Sequence, residues 1–324
     1  MSKILFVVHR YAPFPGGSEY YVRDMSEEMV KRGHDVTVLA HEHQGDLNGV
    51  KVTNDYQTVL NQKWFLIIVH GCDVISQNIV LANAAVIRSP ICYMIIKPSM
   101  SLTAVHGMKY AKYLAYSTTM DLDHIKNLIT TEQKARRVRH GIVVEDSIGA
   151  VEEYWEPDPY YVSAGGFYPH KGMDALASAF EYYVPEGTTL ELFGYADGNK
   201  PSSSRVKSWL GMSKKDVLTA MRYSKGYILN SYEEGFGLVL LEAMLNKIPV
   251  YARNIAGAKD MKPHVITYET EEELFRLITA YEALTNDEKQ AIIERNYNYV
   301  MSNHTIVQTC NDLEDILAEE RIRE

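Results

Sequence analysis

Two carboxylates, Glu234 and Glu242, bracket a glycine-broken apolar run in NSYEEGFGLVLLEAM, residues 230–244. An apolar YIL precedes the run, and Leu238, Leu241 and Leu245 follow at helical spacing, so the stretch reads as strand, tight loop and helix. Open α/β sheets bind ligands beyond the carboxyl ends of their strands, where free amides at a helix start attract phosphate. An anion site is therefore expected at 236–239. Glu234 would lie on the loop and reach the ligand, whereas Glu242 would lie more than one turn into the helix. One carboxylate can hold the part of a ligand that reacts and the other a polar group further back, such as ribose hydroxyls. The same residues also read as an acid that favours a helix start and an exposed helix residue. Spacing alone leaves both readings open.

Two further glycine elements join a strand to a helix. YAPFPGGSEYY brings Gly16 and Gly17 after the first apolar run, where backbone can approach a diphosphate. It lacks G-x-G-x-x-G and carries no Walker lysine, which disfavours a nicotinamide site and a P-loop. AGGFYPHKGMDAL offers Lys171, whose charge beside a strand end suits a phosphate and equally suits a surface lysine before a helix. Three such elements, divided between the two halves of the chain, point to a cleft between domains that holds a phosphorylated ligand.

The elements that must carry these residues alternate throughout. KILFVVH, a helix-spaced Tyr21, Met25, Met29 and DVTVLAH form a βαβ unit, which implies a parallel sheet. WFLIIVH, ICYMII, YLAYS and ARRVRHGI continue the first half; YYVSAGGF, TLELFGY, GYILNS and PVYAR carry the second. The acidic, aperiodic EDSIGAVEEYWEPDPYY separates them. We therefore expect an α/β protein of two Rossmann-like domains, residues 1–150 and 151–305, with a C-terminal helix and tail, 306–324, crossing back to the first domain. At 324 residues two compact units are the default.

Composition is that of an ordinary soluble protein, 46% hydrophobic and 23% charged. Residues 1–150 carry 16 Lys+Arg against 14 Asp+Glu and residues 151–324 carry 17 against 28, or +2 and −11. An acidic chain is a poor general nucleic-acid binder, although KARRVRHG, 134–141, offers a local anion contact or a solvated connection. No apolar run spans a bilayer and the start reads as a strand, not a signal peptide. Cys72, Cys92 and Cys310 have neither disulfide nor zinc spacing, so a cytoplasmic location is expected. His41 and His43 lack metal-site companions and read as loop histidines.

Taken together, SYEEGFGLVLLEAMLNKIPV resembles the E-x7-E block of GT-B-fold retaining glycosyltransferases of family 4, and FYPHKGMDALASAF their R-x-x-x-x-K-G block. The N-terminal glycine segment and VRHGI, 138–142, are similar to further blocks, so ordered matches run from about residue 3 to 260. The resemblance implies a nucleotide-sugar donor, UDP- or GDP-linked, held mainly by the second domain, an acceptor held by the first, and no required metal or other cofactor. It implies that Glu234 contacts the donor sugar and Glu242 the ribose. Lys171 would neutralise the leaving diphosphate, Gly237, Leu238 and Val239 would contact phosphate, and Gly16 and Gly17 would approach the donor.

The family's arginine falls on Gly166, with Arg205 and Lys200 as replacement cations. Lys97 stands where an acceptor-domain histidine is frequent, His106 is a substitute, and Trp209 is a candidate for the base pocket. Asn246, Lys247 and Ile248 crowd a position that is small in the family. The function expected is sugar transfer to a hydroxyl of a glycan or other small acceptor. A phage-type enzyme acting on a modified DNA base and a non-catalytic nucleotide-sugar binder are the alternatives.

Overall fold

The computed structural model describes residues 1–14, 16–71, 75–95, 108–126, 128–130, 133–151, 159–184, 186–195 and 198–322. Two compact units emerge: residues 1–141 with 305–324, and residues 142–304.

In the first unit the runs β1 (Lys3–Arg10), β2 (Asp35–Glu42), β3 (Lys51–Thr53), β4 (Leu66–Gly71), β5 (Ile91–Ile95), β6 (Tyr113–Tyr116) and β7 (Lys134–Arg137) form one sheet. Their order is β3-β2-β1-β4-β5-β6-β7, and every pair is parallel. Ile4, Leu5, Phe6 and Val7 are fully buried although successive side chains point to opposite faces, as helices on both faces require. Between the strands lie α1 (Gly17–Lys31), α2 (Tyr56–Leu60), α3 (Ile75–Ala82), α4 (Ala84–Ile87) and α5 (Thr119–Lys126). Helix α1 buries Tyr21, Val22, Met25 and Met29, the face its spacing marks out.

The second unit repeats the plan with β8 (Tyr160–Gly166), α6 (Met173–Tyr183), β9 (Thr189–Tyr195), β10 (Val206–Leu210), α7 (Lys214–Arg222), β11 (Tyr227–Leu229) and α8 (Leu238–Leu245). It ends with β12 (Val250–Arg253), α9 (Ala256–Asp260), β13 (Ile266–Tyr268), α10 (Glu271–Glu282) and α11 (Asn286–Asn303). Its six parallel strands run β10-β9-β8-β11-β12-β13. From β8 the chain builds outward through β9 and β10, then returns to place β11 on the other side of β8. The direction reverses between β8 and β11, which is where such sheets bind ligands.

Two boundaries differ from expectation. The first unit ends at Gly141 and not at 150, because residues 147–149 are pinned to the second: Asn246 Oδ1 accepts from the Gly149 amide at 2.7 Å, and its Nδ2 donates to the Ser147 carbonyl at 2.8 Å. The stretch from about 288 to 318 is amphipathic enough in sequence to read as one helix, but it breaks at His304. There Thr305 forms a reciprocal capping box with Gln308 and starts α12 (Ile306–Arg321). Helix α12 packs in the first unit, and its acids meet the basic stretch: Asp312 with Arg139, Glu319 with Lys134 and Arg136, and Glu320 with Lys112, each at 2.6 Å. Segment 134–139 is thus largely neutralised within the fold.

Candidate functional site

The turn after β8 is a single 3-10 turn, Pro169–Lys171, closed by Gly172 at φ 65, a conformation that favours glycine. A Cβ at Gly172 would stand 2.4 Å from the carbonyl oxygen of Asn230, so only glycine lets the turn after β8 meet the loop after β11. Three contacts fasten the two. The Tyr232 amide donates to the His170 carbonyl at 2.8 Å, and Asn230 Nδ2 donates to the Gly172 carbonyl at 2.8 Å. Lys171 Nζ reaches Glu234 Oε2 at 2.5 Å. Asn230 is buried, and its Oδ1 accepts from Tyr268 at 2.8 Å, which fixes the loop from below.

Glu234 and Lys171, 63 positions apart, thus share one point at the reversal of strand order. Their side chains are 22% and 20% exposed, open enough to meet a ligand and closed enough for their charges to count. Beyond Glu234, Gly237 caps α8 at φ 83, again a glycine conformation. The amides of Leu238 and Val239 open the helix, where no acceptor within the helix is available to them. Behind the site Tyr227 is buried, donating to the Ala164 carbonyl at 3.1 Å. Burial holds its hydroxyl above the usual tyrosine range, and the carboxylates of Glu234 and Glu242 add to the effect. Glu242 lies in the second turn of α8 and pairs with Lys214 at 2.8 Å, a partner its spacing does not reveal.

Arg205 is not a replacement cation at this place. Its guanidinium lies over the Phe180 ring, donates to the Val184 carbonyl at 2.5 Å and pairs with Glu181 at 3.7 Å, closing the carboxyl end of α6. Lys171 stands before the other end of that eleven-residue helix, about 16 Å away along its axis. Lys200 lies in a loop held at the proper edge. Asn199 bonds Asp174 in the first turn of α6 at 2.5 Å, and Gly198 packs against the Phe167 carbonyl so closely that a Cβ would fall within 1.5 Å. Trp209 lies on β10 with its indole N–H on Glu191 Oε2 at 2.5 Å and its ring half exposed.

In the first unit Gly16 caps and Gly17 begins α1, after β1 and at that sheet's own reversal between β1 and β4, with Gly17 exposed. His41 stacks on His9 at 5.6 Å, and His43 accepts from the Gly45 amide at 3.0 Å. Cys92 and Cys310 are free and buried. Among the described residues no three His, Cys, Asp or Glu side chains are placed to hold a metal, and no helix is long and apolar enough to cross a membrane. Lys97, His106 and Cys72 lie outside the described residues.

Sequence inspection misses Asn230, Tyr232 and Arg253. Arg253 donates to the Asn230 carbonyl at 3.2 Å and lies over the Tyr232 ring at 4.4 Å, bracing the loop from β12. Only the polar residue closing an apolar strand, Asn230 after YIL, is a legible hint.

With this geometry in view, residues 150–296 match the model of the family described as glycosyl transferases group 1. These residues are thus similar to a group 1 glycosyl transferase domain. Both the Lys171 turn and the Glu234 loop lie within it. Comparison with curated protein sequences gives no match. Solved structures resemble the whole chain. One is Anabaena Alr3699/HepE in complex with UDP-glucose, 17% identical with a TM-score of 0.78 over 98% of this chain and 100% of that one. Sucrose-phosphate synthase from Thermosynechococcus elongatus is 13% identical, with a TM-score of 0.77 and full coverage of both chains. WaaG, a glycosyltransferase involved in lipopolysaccharide biosynthesis, is 15% identical, with a TM-score of 0.72 over 97% and 99%. At such identities the likeness speaks for the fold, and the fold is GT-B: the group 1 domain is the second of two parallel-sheet domains.

Proposed function

We propose that the chain transfers a sugar from a nucleotide-sugar donor to an acceptor hydroxyl, with retention of anomeric configuration. The observation that carries this reading is the Lys171–Glu234 pair at the reversal between β8 and β11, beside the glycine-capped start of α8. A carboxylate is a good acceptor for sugar hydroxyls, and an ammonium with free helix amides is a good host for a diphosphate. In this reading Glu234 takes the sugar hydroxyls. Lys171 and the amides at Gly237, Leu238 and Val239 take the diphosphate, and its charge is met as it departs. Glu242 takes the ribose at the expense of its pairing with Lys214. No metal is assigned a role, so turnover is expected to survive chelator.

The bound UDP-glucose of the HepE structure makes a UDP-linked sugar the first donor to try, with a glycan or other small hydroxyl compound as acceptor. UDP-, GDP- and ADP-sugars are compared by thermal shift, because a ligand of the folded state raises the melting temperature. The donor that binds is then offered to acceptors with and without chelator, and the anomer of the product is read by NMR. Wild-type turnover that persists undiminished in both Lys171→Ala and Glu234→Ala would overturn the assignment.

A further inference from the structure

Away from the donor loop, the second unit holds a half-open cavity of about 410 Å³ lined by Ile148, Arg222, Leu245, Asn246, Lys247 and Tyr297. Its size is that of a small-molecule site. Ile148 and Leu245 supply apolar wall. Asn246 is locked by bonds to the Gly149 amide and to the Ser147 and Glu242 carbonyls, so that side is rigid.

The charged lining is wholly cationic, in the half of the chain that carries −11. Arg222 makes one long contact, Nη1 to the Gly149 carbonyl at 3.4 Å, and forms no ion pair among the described residues. Lys247 likewise forms no ion pair there, and its ammonium lies over the Tyr297 ring at 4.9 Å. Lys247 also holds φ 59, at the residue after the helix cap where glycine is favoured. The chain thus accepts local strain to set an ammonium at the cavity, and strain of this kind collects at functional positions.

We propose that this cavity binds a small phosphomonoester, its phosphate held by Arg222 and Lys247 and its body against Ile148, Leu245 and Tyr297. Phosphate suits a guanidinium and an ammonium that line one cavity with no acid among its lining residues. The site is distinct from the donor loop: helix α8, eight residues and about 12 Å long, separates Gly237 from Asn246.

Calorimetric titration of the full chain with glucose 6-phosphate at fixed ionic strength tests the proposal, with glucose and inorganic phosphate as comparison probes. Saturable binding is expected for glucose 6-phosphate, weaker binding for phosphate and none for glucose. Arg222→Gln should weaken it at least about tenfold, as loss of a charged hydrogen bond does. Lys247→Gln should weaken it several-fold. Lys171→Ala, which cripples the donor loop, should leave it unchanged. No saturation by about 10 mM, equal affinity in the Arg222 and Lys247 variants, or loss of binding in Lys171→Ala would each overturn the proposal. Urea midpoints of the two pocket variants show that they fold, and either one alone suffices for the comparison.

Discussion

The two halves of the Lys171–Glu234 pair should respond to mutation with opposite signs. The ammonium is held by a carboxylate at 2.5 Å, and a diphosphate must draw it away. For side chains about a fifth exposed, such a pair is worth about 1 kcal/mol net, since solvent still screens it. Glu234→Gln keeps the shape and removes the charge, so Lys171 is released and a bare nucleoside diphosphate should bind about 3- to 5-fold more tightly. Lys171→Ala removes a charge-assisted bond to phosphate worth about 1.5–3 kcal/mol and should weaken the same ligand about 10- to 100-fold. For the complete nucleotide sugar Glu234→Gln should act the other way, lowering turnover by about 10- to 100-fold through the lost sugar contact. Calorimetry with UDP on wild type, both single variants and the double variant closes the cycle. The double variant should match Lys171→Ala. If Glu234→Gln weakens UDP, or if the two substitutions simply add, the pair is not what the diphosphate displaces and the reasoning fails.

Arg205→Ala should lower stability by about 1–2 kcal/mol in urea, through the lost closure of α6, while UDP affinity stays within twofold of wild type. Glu319 is held down to about 2, first by its hydrogen bond from Arg136 and then, against the opposing effect of burial, by that from Lys134. Its folded value lies below its unfolded one, so its contribution is present above about pH 4.5 and drains away as pH falls toward 2. Glu319→Gln should therefore cost about 1–2 kcal/mol at pH 7, after allowance for solvent screening, and the difference from wild type should shrink through that window in pH-dependent urea melts. Arg88 is exposed and ends α4 at φ 50, so Arg88→Gly should raise stability by about 0.5–1 kcal/mol by differential calorimetry.

What the sequence disclosed follows from which physical signals are local. Buried parallel strands are continuous apolar runs, and glycines mark the turns that leave them, so the βαβ order and the loops of Lys171 and Glu234 are readable from KILFVVH, YYVSAGG and YILN. The edge strands β3, β10 and β13 escape notice because they are short and half exposed; VKSWL shows no alternation to betray it. The break in the last helix hides because both sides stay amphipathic, and only the capping pair Thr305 and Gln308 marks it. Arg205 illustrates a non-local failure. A crossover in a parallel sheet leaves from the carboxyl edge and returns to the amino edge, so a residue just before β10 lies opposite the site, however near Lys200 it stands in sequence. The Leu190 amide bonds the Arg205 carbonyl at 2.8 Å, at the very start of β9.

Gly166, where an arginine is the family habit, becomes intelligible on the same terms. A Cβ there would fall 2.4 Å from the Tyr168 ring, which lies parallel to His170 at 5.7 Å and edge-on to Tyr195 at 6.2 Å. The space an arginine stem would need is filled by an aromatic group, and a larger residue at 166 would push Tyr168 off its stack just before the Lys171 turn. Arg253, the other cation near the loop, is committed to the carbonyls of Asn230 and Glu269 and to the Glu271 carboxylate. In the proposed reading the diphosphate charge then falls on Lys171 and the opening amides of α8, with Lys200 as an exposed cation in a nearby loop. A site with one fixed ammonium gains most from a carboxylate that orients it, which in the proposed reading gives Glu234 a second task beside its contact with the sugar.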